Sequence, residues 1–302
     1  MPIGADVSAQ YTEEAVGGGH PTKARVIDRL ALVEHHVDGK HNASKLPVGC
    51  GGYFRQSTAT ECRLERSTSP GNLWGDAIPF NPVSGDPYFL PLGAAKTISN
   101  AGLAANTAYY AYAYDNSGVV ALELSAAAPD LTTNKLPIKT GDVTRTLVGM
   151  ARTDASVQFV DTAAQRFVIS FWNRVKRAAA SDISIASTPN AVWTSLNNLQ
   201  VLAFAGDAFE HRASGFQYND TAGHTSNVTL SKDPTIAGTG ASTFPNSLFN
   251  SPAGGNPAGF GLERLEAAAA NGVQDSFLFI RKTTGSGLAT VGQVRHEIVF
   301  WG

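Results

Sequence analysis

Charge is scarce in this sequence. Asp, Glu, Lys and Arg make up 16% of its 302 residues, where an ordinary soluble domain carries about 25%. The formal net charge is −2 and the pI is near 6.4. Nucleic acid demands a basic footprint. The one short basic cluster, Arg174 to Arg177, reads as a solvated strand end, so no nucleic-acid partner is expected. Cysteine is nearly missing: Cys50 and Cys62 are too few for a disulfide framework. Buried thiols are the expectation, with a pair across a hairpin as the alternative. No run reaches the roughly 18 apolar residues of a membrane span, so no membrane insertion is expected. Met1 to Gln10 has no cationic or apolar signal block, which implies synthesis in the cytoplasm and no cleaved signal. Gly, Ala, Ser and Thr fill the gap. That composition suits β architectures that associate through extensive surfaces, and secreted proteins share it.

Familiar catalytic patterns are also missing. Gly17-Gly18-Gly19 is followed by His20-Pro21, where a phosphate loop needs Gly-Lys-Ser/Thr. Glu34, His35, His36 and His41 invite a metal reading. A zinc-protease helix needs its two histidines four apart on one face, whereas His36 and His41 are five apart with Gly39 between them. No metal and no cofactor are expected. Hydrolase triads and dinucleotide loops fail at the spacing. Glycan cleavage needs two carboxylates across the scissile bond. Glu210, Asp220, Glu263 and Glu266 exist, but spacing alone puts no pair of them face to face. The expectation is a protein that is not an enzyme.

What is present begins with one helix. Pro21 suits a first helical turn and Gly39 suits the stop, which predicts a helix over Pro21–Asp38. Val26, Leu30, Val33 and Val37 follow 4, 3, 4 spacing, the pattern of a coiled-coil seam. The helix either packs on its own domain or forms a short bundle at the axis of an oligomer. From Val48 the pattern turns to short strands. Tyr110, Tyr112 and Tyr114 alternate with Ala111 and Ala113, so period two puts the rings on one face and the alanines on the other. Asn116-Ser117-Gly118 supplies a turn, and Val120, Leu122 and Leu124 alternate on the return. This predicts a hairpin. Thr146 to Met150 and Phe167 to Trp172 read as two further strands. Arg145, Arg152 and Arg166 read as ion-paired at strand edges.

The segment YYAYAY…GVVALELS…IKTGDVTRTLVGMARTD…FVDTAAQRFVISFWNR resembles a module repeated in tail-fibre, spike and head-fibre proteins of phages and prophages of Proteobacteria. HPTKARVIDRLALVEHHVDGKHN resembles the helix that precedes such modules, keeping His20 to Ala24, Arg29 to His35 and Asp38-Gly39. Related spike proteins occur in the gene transfer agents of Alphaproteobacteria. The resemblance covers roughly residues 20 to 175. It implies a homo-oligomeric virion surface protein, with a trimer favoured and a pentamer fitting a capsid vertex. Contacts to other virion proteins would run through the N-terminal region. No catalytic motif comes with it.

Ala178 to Ser181 mark a composition shift. Beyond it, short strand candidates separated by Asn, Asp, Gly and Ser argue for a sandwich or jelly roll. In the last one, Val294, His296, Ile298 and Phe300 alternate with Arg295, Glu297, Val299 and Trp301. Leu262 to Ala270 reads as one short helix. The expected fold is mainly β: an N-terminal arm and helix over 1–45, then two β-sandwich, jelly-roll-like domains over 46–178 and 179–302. The expected function is host attachment from a phage or gene-transfer-agent particle through surface polysaccharide. Candidate ligand contacts are Tyr218, Asp220, His224, Phe244, Phe249 and Phe260. A structural base, decoration or adaptor protein is the competing reading, and a glycan depolymerase a weaker one.

Overall fold

The computed structural model describes residues 41–42, 52–66, 77–84, 87–132, 136–234, 246–250 and 255–301. The helix expected over Pro21–Asp38, with Val26, Leu30, Val33 and Val37, lies outside them, as does Cys50. Among the described residues every regular element is a β-strand. The chain divides into two compact units, one formed by 1–101, 109–150 and 170–173 and the other by 102–108, 151–169 and 174–302.

Among the described residues, the first unit is built from two three-stranded sheets and the larger sheet that holds the tyrosine hairpin. Tyr53–Gln56 pairs antiparallel with Glu61–Glu65, which pairs in turn with Lys96–Ser99. Cys62 is buried there, opposite Gln56. Gly52 holds φ +95°, and a Cβ at this position would stand 2.8 Å from Leu64 Cδ1; glycine alone fits the turn and the close approach. The expected hairpin forms between Ala108–Asn116 and Val119–Ser125. Its two-residue turn, Ser117-Gly118, has positive φ at both positions, which matches the right-handed twist of the strands it joins. Ala111 and Ala113 are fully buried on one face, and Tyr110 and Tyr114 are half-buried on the other. The Arg145 guanidinium lies 4.2 Å from the Tyr114 ring centroid and 3.1 Å from Glu123.

The second unit contains eight main strands: β1 (Lys176–Thr188), β2 (Thr194–Ala203), β3 (Ala208–Asn219), β4 (Thr225–Ser231), β5 (Asn246–Asn250), β6 (Ala258–Ala267), β7 (Gly272–Lys282) and β8 (Ala289–Trp301). They form two antiparallel sheets, ordered β1-β8-β3-β6 and β2-β7-β4-β5, with the two-residue strand Gln165–Arg166 added in parallel beside β2. Residues 178–181 lie inside β1. Arg174 and Arg177, expected to be solvated, are instead ion-paired with Asp207 and Asp161.

Alternation drives the packing. Val291, Val294, Ala213, Phe260 and Leu262 face inward from one sheet, and Val228, Leu230, Leu278 and Ile280 from the other, in one buried cluster. The two sheets therefore form a sandwich. Each such aliphatic or aromatic side chain contributes about 1.5–3 kcal/mol by leaving water. The terminal strand behaves as its alternation predicts, with Val294, His296, Ile298 and Phe300 all buried.

The helix expected over Leu262–Ala270 is not formed. Ala258–Ala267 is a strand paired along its length with β3. Pairing wins over local propensity because period two sends Phe260 and Leu262 into the core. Leu265, which a helix would have buried beside Leu262, is 73% exposed.

Candidate functional site

Tyr218, Asp220 and His224 come together at one end of the second unit. β3 ends at Asn219, and residues 220–224 turn back into β4. The turn is clamped to the β7–β8 turn, residues 283–288. Asp220 Oδ1 accepts the Leu288 amide N–H at 2.8 Å, and the Asp220 amide donates to the Leu288 carbonyl at 3.2 Å. His224 Nδ1 sits 2.7 Å from the Ser286 carbonyl oxygen, and the hydroxyls of Thr225 and Thr284 are 3.0 Å apart. The clamp needs glycine at two points. A Cβ on Gly285 (φ +74°) would stand 2.3 Å from the His224 ring, and one on Gly287 (φ +88°) 2.1 Å from Asp220 Oδ1. Asp220 and His224 therefore brace two turns against each other, while the Asp220 residue stays exposed.

Tyr218 belongs to a row on the outer face of the β1-β8-β3-β6 sheet. Phe216 and Tyr218, two apart on β3, point away from the core. Their rings are nearly parallel at 22°, with centroids 6.3 Å apart. Phe216 lies opposite Gly292 on β8 and Gly259 on β6. A Cβ on Gly292 would stand 2.4 Å from the Phe216 ring, so the ring rests on bare backbone. Ile185, 61% exposed, is Gly292's partner on β1. In the next cross-strand row, Tyr218 lies beside Thr290, whose hydroxyl is 2.9 Å from that of Ser187. A bulge, where β8 inserts Gln293 at φ +48° opposite Gly215, shifts the register of β8 and brings Gly292 opposite Phe216.

The remaining expected contacts are placed elsewhere. Phe260 is buried in the sandwich core. Phe249 lies on β5 opposite Ser226. Phe244 lies outside the described residues. Phe216 was not among the expected contacts. Its signal was present in Gly215-Phe216-Gln217-Tyr218, an aromatic pair at period two beside a glycine.

Two other constellations bear on chemistry. Ser276 Oγ is 2.9 Å from His296 Nε2, and His296 Nδ1 is 2.7 Å from Asn197 Oδ1. The geometry has the form of a nucleophile, base and orienting group. However, Ser276 and His296 are 0% exposed between the sheets, so no substrate reaches them, and the chain of hydrogen bonds ties β7, β8 and β2 together. Burial holds the His296 imidazole down at about 3 and that of neighbouring His211 at about 4, so both are neutral. Glu266, 5% exposed, lies 3.9 Å from His211 and is bound by Lys232 at 2.7 Å and Arg264 at 2.6 Å.

Glu210 and Glu263 do meet, on the outer face. Their hydrogen bond holds Glu210 below the usual carboxylate range and pushes Glu263 above it. Carboxyls in direct contact leave no room for a sugar between them, where a retaining glycosidase needs about 5–5.5 Å. Among the described residues, no group of three or more His, Cys, Asp or Glu side chains is placed to hold a metal ion.

No family model matches the chain, and no curated protein does. Among solved structures it is similar to the VP2 subviral particle of infectious bursal disease virus, at 12% identity and a TM-score of 0.29, covering 83% of this chain and 58% of that one. It is also similar to an insecticidal delta-endotoxin of Bacillus thuringiensis (10% identity, 84% and 52% covered, TM-score 0.25). A third likeness is to the enzymatically active domain of bacteriophage CBA120 tailspike protein 4 (11% identity, 41% and 19% covered, TM-score 0.19). The chain spans less than two thirds of the length of each of these structures. Likenesses this low in TM-score do not identify a common fold.

Proposed function

We propose that this chain is a surface protein of a phage or gene-transfer-agent particle, and that it attaches the particle to host cell-surface polysaccharide without covalent chemistry of its own. The observation that carries this reading is the placement of the half-buried, outward-facing Phe216–Tyr218 row. The last segment of the second unit begins at Arg174, two residues before β1, and the row lies level with Ser187, at the other end of β1 from Lys176. The span is about 35 Å at 3.3 Å per residue. An outward-facing aromatic row at the end of the sheet away from Lys176 suits an attachment domain.

The strand orders support the same reading. In β1-β8-β3-β6 and β2-β7-β4-β5 we recognise the eight-stranded jelly roll, an architecture used by viral capsid and lectin domains. The resemblance of residues 20 to 175 to fibre and spike modules adds a homo-oligomer, a trimer in preference to a pentamer, held to other virion proteins through the N-terminal region. The competing reading, a structural base or decoration protein, predicts a different phenotype. Particles assembled without this protein should be intact and fail to adsorb. Failed assembly would instead make the role structural.

A further inference from the structure

Resting on that attachment reading, we infer that the outer face of the β1-β8-β3-β6 sheet carries the glycan site itself, a shallow trough beside Phe216 and Tyr218 that takes a neutral polysaccharide chain. Three features point there.

The first is shape. On the β6 side of the Phe216 ring the sheet presents Gly259 and Gly261. A Cβ built on Gly261 would meet nothing within 4 Å, and one on Gly259 only the Gly215 carbonyl at 3.9 Å. Two glycines alternating on the outer face of one strand leave backbone as the floor. The aromatic row forms one wall, and β6 is the edge of its sheet among the described residues. An extended chain fits such a trough lengthwise.

The second is the chemistry of the wall. Two near-parallel rings 6.3 Å apart offer outward-facing aromatic surface to the C–H-rich faces of sugars. Their half-burial against Gly292 and Thr290 fixes them before binding, so little ordering cost remains. Ser187 and Asp220, both exposed, supply hydroxyl and carboxylate groups at the rim for sugar hydroxyls.

The third is charge. The cross-strand rows containing Phe216 and Tyr218 hold Ile185, Gly292, Gly259, Ser187 and Thr290, none of them cationic. Next along the face, Arg212 and Arg295 are already ion-paired to Glu210, Glu297 and Asp182, and Glu263 adds a further acid. Asp220 closes the other end. A uronic or sialic acid polymer would meet surplus acid with no free guanidinium to answer it, whereas neutral hexose polymers meet no penalty.

The test uses the full chain and a panel of neutral glucan, mannan and galactan against anionic hyaluronan and polysialic acid, read by saturation-transfer NMR and titration. At least one neutral polymer should bind and the anionic ones should not. F216A and Y218A should each weaken binding at least tenfold. G261Q, which places a side chain in the trough from a position with open space around it, should do the same with an unchanged unfolding temperature. Binding that survives all three substitutions, or that favours the anionic polymers, overturns the site. Particles carrying F216A/Y218A that adsorb normally, when particles lacking the chain do not, would reject this site and leave the attachment reading standing. Normal adsorption without the chain would reject the attachment reading itself.

Discussion

Lowering the pH should loosen the second unit well before its carboxylates titrate. His211 and His296 sit in the sandwich with side chains out of contact with water. Burial lowers their pKa values from about 6.5 to about 4 and about 3. The folded state therefore binds fewer protons than the unfolded chain through this window. The stabilisation held by neutral, buried imidazole is complete above pH 6.5 and is lost as the pH falls from there toward 4 for His211 and toward 3 for His296. At pH 5 the linkage relation gives a loss of about 2 kcal/mol from each, roughly 4 kcal/mol together. That is a large part of the 5–15 kcal/mol that typically holds a domain folded. The depressed carboxylates, Asp142 and Glu210, act only below this range. Urea unfolding followed by tryptophan fluorescence at half-unit steps from pH 7.5 to 5 measures the effect, with a slope near pH 5 of about 2.7 kcal/mol per pH unit for two protons. H211Q and H296Q should each halve that slope, whatever they cost at pH 7. A level stability profile, or a slope that survives in the double variant, would refute the reasoning.

Other substitutions test individual joints. S276A leaves the His296 Nε2 acceptor without its donor in the core and should cost about 1–3 kcal/mol in urea unfolding. L278A opens a cavity between the sheets and should cost about 2–5 kcal/mol by the same measurement. G285A and G287A force a side chain into a left-handed backbone and into the His224 ring or the Asp220 carboxylate. Each should cost about 1–3 kcal/mol and raise hydrogen exchange at the Leu288 amide, while the distant β1–β8 amides stay protected.

How much of this was legible in the sequence differs from element to element. The tyrosine hairpin was, because its alternation and its Ser117-Gly118 turn are local. So was the inward face of β8. β6 was not, because Leu262-Glu263-Arg264-Leu265-Glu266 and the alanines after it have high helix propensity, and only the partner strand β3 decides otherwise. That Phe216 faces Gly292, and not a residue with a side chain, depends on a bulge in β8 more than seventy residues further along. The glycines that expose the rings lie on β6 and β8, so no local window contains the platform. Asn197, Ser276 and His296 come from three strands, and nothing in their spacing announces that they share a hydrogen-bonded chain.

The pairing of β1 with β8 has a mechanical consequence. It matches residues from Lys176 with Trp301 through to Thr188 with Ala289. A tether pulling at the Phe216–Tyr218 end, against an anchor at the Lys176 end, loads this ladder along the strand axes. Its hydrogen bonds then resist in shear, all at once. The same tension applied between Lys176 and Trp301 would peel the ladder open one rung at a time. Under the attachment proposed above, flow tugging on a particle held at the cell would load the ladder in this shear direction.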